Sequence, residues 1–311
     1  MCSCTETVLQ FITVLPCLIA LEMAGNDGEW QRVRRRGRAA RAAPTCAESL
    51  REQVDAGKPA DARRAQERLK EAMVDLTCEG FWRNWKEILT RYLAAEDPNH
   101  KDLECDCVCY GLGRFLSCVS SRYQLAMLLL LLEALKVSSL VNRLTIPPNR
   151  CSIFDPVFSV AEREVLRSLG LTVLTENEEG KRPVNKPTLF YLMHCGTALY
   201  NNLLWSNWSP QALPLLTIVG NSFQGLQERM AQQDLQRDYS FIADLMCVCQ
   251  ETPLPCPPRF LDVFNDTALL RFPSRRLASL PPHTWSHVQE PQYLHCLDLE
   301  IIQRKKEGSV G

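Results

Sequence analysis

Two hydrophobic periodicities alternate along this chain. Ala62, Ala65, Leu69, Ala72, Met73 and Leu76 recur at three- and four-residue spacing, and Phe81, Trp82, Trp85, Ile88, Leu89 and Tyr92 repeat the pattern with aromatic residues. Both stripes predict amphipathic helices within residues 61–100 that pack on their own domain. Beyond them the spacing shortens. Residues 107–110 suit a buried strand, Gly111 and Gly113 permit a tight turn, and residues from Tyr123 onward read as helix. The unbroken apolar run 125–132 within that helix requires cover from neighbours on all sides.

The alternation then repeats. Strands are predicted at 152–155, 171–175, 188–193 and 215–219, and helices at 160–169, 198–205 and 223–235, with Ser159 and Glu162 spaced as a capping box. Residues 176–185 form a polar surface loop. Strands and helices in turn predict an α/β fold: a Rossmann-like, mostly parallel sheet with helices on both faces, preceded by the amphipathic helices. The α/β domain is placed at 101–250. Four prolines in ETPLPCPPR, from Glu251 to Arg259, read as a loop leaving the core, so 251–311 is a carboxyl-terminal extension. Residues 1–22 read as an amino-terminal extension and 23–60 as a basic, disordered arm.

In open parallel sheets, ligands bind beyond the carboxyl ends of the strands, where strand order reverses. Those ends here carry Gly111 and Gly113, then Asp155, then Glu178, Glu179, Lys181 and Arg182, then His194 with Cys195, then Asn221 with Ser222. Gly111, Gly113, Asp155, Glu178, Glu179, Lys181, His194 and Asn221 are the candidate ligand-binding positions, and none is assigned as catalytic. Gly-Leu-Gly lacks the third glycine of the dinucleotide fingerprint, and Asp155 lies 42 positions past Gly113, where a ribose-binding acid stands about 20 on. An enzymatic alternative is a transferase with a nucleotide-like cofactor. Gly111 and Gly113 would meet that cofactor, Asp155 its ribose, and His194 would act as acid or base, with Lys181 or Arg182 holding an anionic substrate. Glu178 and Glu179 are adjacent and would point apart on an extended loop. Ser222 lacks the surrounding glycines of a hydrolase elbow.

The segments VCYGLG, FDPVFS, ENEEGKR, TLFYLMHCGTALYNNLLWSNW and IVGNSF occur in that order. In them the chain closely resembles the sensitivity-to-red-light-reduced family, from about residue 107 to residue 223 and more weakly to the carboxyl end. Met193 departs from the pattern, which has Pro before His-Cys. The resemblance implies a regulatory rather than a catalytic protein, with a role in circadian clock gene expression and, for the animal members, in control of haem biosynthesis. It also makes haem a candidate ligand. Imidazole and thiolate both hold haem iron in proteins, so His194 and Cys256, in the chain's only Cys-Pro dipeptide, are the candidate axial ligands.

Composition narrows the setting. A chain of 311 residues, 46% hydrophobic, can bury one sizeable core with accessory helices. Its fifteen cysteines lie largely in apolar runs, as reduced core cysteines do, and no Cys-x-x-Cys pair is present to suggest zinc. The net charge of −1 conceals a basic arm: residues 23–70 hold 12 Lys or Arg against 7 Asp or Glu. Without interleaved aromatics or a nucleic-acid fold, that arm reads as solvated, or as a nuclear-import signal, and nucleic acid is not an expected partner. Residues 8–21 are too short to span a bilayer and lack a basic stretch before them. The expectation is a cytoplasmic protein that also enters the nucleus, with no membrane contact and with regulatory protein partners whose identity is open. On that basis the sequons at Asn207 and Asn265 carry no glycan.

Overall fold

The computed structural model describes residues 59–78, 80–93, 105–137, 146–286 and 289–293. The chain divides into units 1–53 and 54–311, and the described residues belong to the second. The expectations for residues 1–22 and for nearly all of the basic arm, and the end of the carboxyl-terminal extension from 294 to 311, therefore lie outside them.

The two amphipathic stripes form α1 (Pro59–Cys78) and α2 (Phe81–Leu93). Their buried positions are the predicted ones: Leu69, Ala72 and Leu76 on α1, and Phe81, Trp85 and Leu89 on α2. A seven-stranded sheet follows, in the spatial order β3-β2-β1-β4-β5-β7-β6. β1 (Asp106–Tyr110), β2 (Cys151–Phe154), β3 (Thr172–Val173), β4 (Thr188–Leu192) and β5 (Leu216–Asn221) are mutually parallel. The helices between them are α3 (Val119–Val137), α4 (Val160–Ser168) and α5 (Thr197–Ser206). α4 carries the predicted capping box, with Ser159 and Glu162 each bonding the other's backbone N–H.

Strand alternation separates two core layers. Cys107, Cys109, Cys151, Ile153, Leu189 and Tyr191 face α1 to α4. Val108, Tyr110, Phe190, Leu192 and Ile218 face the other way, toward α5 and most of the helices after β5. Helices thus cover both faces, and α3, apolar on every side, lies against α1 and α2 as its composition demands.

Three local expectations change. α3 begins at Val119 rather than near Tyr123, because Ser121 turns inward beside the Gly113 backbone. The helix expected at 223–235 is two, α6 (Phe223–Arg229) and α7 (Gln232–Asp238), with Met230 and Ala231 extended between them. Phe223 and Leu235 both bury in the second layer; twelve residues apart on one helix they would stand about 18 Å apart. The third change is the largest. ETPLPCPPR does not leave the core, since its first three residues belong to β6 (Gln250–Pro253), which pairs antiparallel with β7 (Thr267–Arg271), itself antiparallel to β5. Pro253 is tolerated because β6 is an edge strand. α8 (Ser240–Leu245), α9 (Leu261–Phe264) and α10 (Ser274–Leu277) complete the helices, α9 on the first layer and α8 and α10 on the second.

Candidate functional site

Strand order reverses between β1 and β4, since the chain leaves β1 toward β2 and returns on its other side. The carboxyl ends of these two strands are where the geometry of such a sheet leaves a crevice. Gly111 and Gly113 follow β1 with φ of +67° and +78°, a backbone that side chains rarely adopt. Space forbids them too: a Cβ on Gly111 would lie 2.6 Å from Cys195 Sγ, and one on Gly113 2.7 Å from Ser121 Oγ. The turn is therefore packed between the β4 end and the first turn of α3.

Two buried carboxylates, Asp155 just after β2 and Glu162 in the first turn of α4, hold this turn. Asp155 accepts from Gly113 N at 2.7 Å and Val157 N at 2.9 Å. Glu162 accepts from Leu116 N at 3.1 Å besides capping α4. Burial raises the Asp155 carboxyl above its ordinary range, although the N–H groups of Val157 and Gly113 oppose the shift. Asp155 thus acts on the glycine turn, which explains its distance from the ribose-binding position.

Glu178, Glu179, Lys181 and Arg182 come together in a turn, with Lys181 N bonded to Glu178 O at 2.8 Å. The loop is not extended there, because Glu179 is left-handed at φ +52°. Glu178 takes the Tyr110 hydroxyl and the Arg182 guanidinium, tying the loop to the end of β1. Burial, and then the Glu178 carboxylate, push the Tyr110 phenol up. Lys181 Nζ lies 2.6 Å from Glu179 and 2.7 Å from Glu290. Burial disfavours its charge, but these two bonds outweigh that and raise it.

His194 follows β4 with φ +52° and its ring exposed. Its Nε2 lies 3.1 Å from the carbonyl of Asn265. If Nε2 carries the proton, as bonding to a carbonyl requires, Nδ1 presents its lone pair. That is the usual way a ligating histidine is oriented. Met193, in the departure from Pro, is buried in the first core layer. Asn221, at the end of β5, donates to Cys195 O at 2.9 Å, while its buried Oδ1 has no hydrogen-bond partner among the described residues. Cys256 is elsewhere: half-buried at the margin of the first layer, with a thiol that burial raises. It fits thiolate ligation poorly, whereas His194 fits an imidazole donor. Among the described residues, no three His, Cys, Asp or Glu side chains gather as a metal site.

Sequence reasoning missed the buried asparagines of the YNNLLWSN segment. Asn202 Nδ2 donates to Glu179 O at 2.8 Å, and Asn207 donates to Arg182 O and accepts from Val184 N. The signal was available, since Asn201, Asn202 and Asn207 interrupt an otherwise apolar helix and its cap, and buried amides need partners. Asn207 is buried, so that sequon is closed to a glycan; Asn265 is exposed. Gly220 marks another close approach, because a Cβ there would sit 2.6 Å from the Leu192 carbonyl and against the Tyr200 hydroxyl. Gly220→Ala should lower stability by about 1–3 kcal/mol, measured by urea unfolding; an unchanged midpoint would show that β4 and β5 can separate without cost.

A family model described as SRR1 domain matches residues 81–271, from the start of α2 to the end of β7. The SRR1-like protein of Mus musculus is 43% identical over 237 residues, covering 68% of this chain and 90% of that protein. The SRR1-like protein of Drosophila melanogaster is 34% identical over 170 residues, 55% of this chain and 56% of that protein. Protein SENSITIVITY TO RED LIGHT REDUCED 1 of Arabidopsis thaliana is 36% identical over 140 residues, 45% of this chain and 44% of that protein.

Proposed function

Because this chain belongs to the SRR1 domain family, we propose that it is a regulatory protein of haem biosynthesis and circadian clock gene expression. In this reading it binds haem or a nucleotide-like ligand at the β1–β4 crevice and passes that state to protein partners in the cytoplasm and nucleus. No helix among the described residues is long and apolar enough to cross a membrane. The observation that carries the reading is the His194 imidazole, exposed on a left-handed corner at the strand reversal and oriented by the Asn265 carbonyl. His194 would hold haem iron; haem would supply the signal. A regulatory rather than a catalytic role is favoured because these charged groups at the crevice are engaged within the protein: Asp155 by the glycine-turn backbone, Glu178 by Tyr110 and Arg182, Lys181 by Glu179 and Glu290.

The test is a haemin titration of the purified protein, followed in the Soret band. His194→Ala should abolish the ligand-bound spectrum, and Cys256→Ala should leave it intact. An unchanged spectrum in His194→Ala sinks the assignment. The second reading, a transferase with a nucleotide-like cofactor, is favoured by the glycine turn at the strand reversal. It predicts that a nucleotide or S-adenosyl compound raises the melting temperature. A complete screen without such a shift removes it.

A further inference from the structure

The chain after β7 returns to the crevice. Residues Pro282–Ser286 form a short 3-10 helix, and the described residues 282–286 and 289–293 meet α5 and the residues just after it. At one end, Trp208 donates to Thr284 O at 2.9 Å and packs against Trp285. At the other, the buried Tyr293 hydroxyl bonds Asn202 Oδ1 at 2.7 Å, accepts from Asn201 Nδ2 at 3.2 Å and lies 3.1 Å from Ala198 O, while its ring rests on Tyr239. Between these anchors, Glu290 reaches Lys181.

Two of these bonds converge on a single strained residue. Glu179 holds a left-handed backbone that a non-glycine residue keeps only when its surroundings over-determine it. Its carbonyl is held by Asn202, whose other amide atom is held by Tyr293. Its carboxylate is held by Lys181, which Glu290 also holds. The strap therefore braces two of the supports of Glu179, whose N–H also donates to Asn177 Oδ1 at 2.9 Å, and Glu179 sets the turn that presents Glu178 to Tyr110 at the crevice.

We propose that the segments 282–286 and 289–293 are a latch for the 178–182 loop. Docked, they keep Glu179 left-handed and Glu178 on Tyr110; undocked, they let the loop relax and open that side of the crevice. The device is independent of which ligand the crevice receives, so it stands or falls apart from the haem assignment.

Hydrogen exchange by mass spectrometry on the full chain tests it. Glu290→Gln and Tyr293→Phe should each speed exchange of the 178–182 amides about five- to tenfold, as expected for the loss of one bracing bond. Amides of β1, β4 and β5 should keep their protection. Glu290 is half-exposed, so its variant folds even if the Tyr293 variant does not. Unchanged loop exchange in Glu290→Gln, or an equal rise across the sheet, overturns the latch.

Discussion

Replacing Trp85 with alanine is expected to lower stability by about 4 kcal/mol, the range for deleting a buried tryptophan. The side chain is fully buried, and its rings meet Phe81 at 5.6 Å and Phe264 at 5.4 Å. Its Nε1 donates to the Pro255 carbonyl at 2.8 Å. Trp85 thereby joins three segments distant in sequence: α2, the proline-rich loop after β6, and α9. Urea unfolding measures the loss. Trp85→Phe should recover most of the packing and isolate the hydrogen bond at about 1 kcal/mol. A loss below about 1 kcal/mol in Trp85→Ala would mean that α2 is an appendage rather than part of the domain core.

Asp155→Ala should follow at about 2–4 kcal/mol, because two hydrogen bonds to a charged acceptor go together. The N–H groups of Gly113 and Val157 lose their acceptor, and the glycine turn loses its tie to β2. Asp155→Asn should fall between, since an amide offers one acceptor oxygen where the carboxylate offers two. The pH dependence separates this residue from an ordinary ion-paired carboxylate. Its folded pKa is raised, burial being the main cause. A group of that kind contributes its stability in full below the unfolded value, about 4, and loses it as pH rises through the higher folded value. Wild type should therefore exceed Asp155→Asn in stability by more near pH 4 than at pH 7. The opposite slope in paired unfolding experiments would show that the backbone bonds outweigh burial.

The parts legible in the sequence are those whose signal is local. The stripes of α1 and α2, the capping box at Ser159 and Glu162, and the buried β1 and β4 each carry their periodicity within one short window. The candidate residues at the strand ends were legible for the same reason, and the sheet does bring Gly113 to Asp155, Gly111 to Cys195, and Asn221 to Cys195. What those residues do was not legible. Asp155, too far along for a ribose acid, bonds the backbone of the glycine turn, and Lys181 lies between two carboxylates. Cys256 follows as a candidate from the haem resemblance and its Cys-Pro dipeptide, and the burial that raises its thiol appears only in the fold.

β6 and β7 show where local reading ends. Four prolines within nine residues look like a departure from the core, and five residues of TALLR are too few for periodicity to classify. Only the open hydrogen-bonding edge of β5 makes that pentapeptide a strand, and only the edge beyond it accommodates Pro253. The strap is a longer-range case, since Tyr293 meets Asn202 across 91 positions. By itself, then, the sequence determined the α/β class, the order of most elements, the face each buries and the family, because these rest on spacing and on motifs in series. The tertiary structure decided the antiparallel half of the sheet, the partner of each charged group and the latch on Glu179, because hydrogen-bond and ion-pair partners are chosen by proximity, and proximity exists only once the chain is folded.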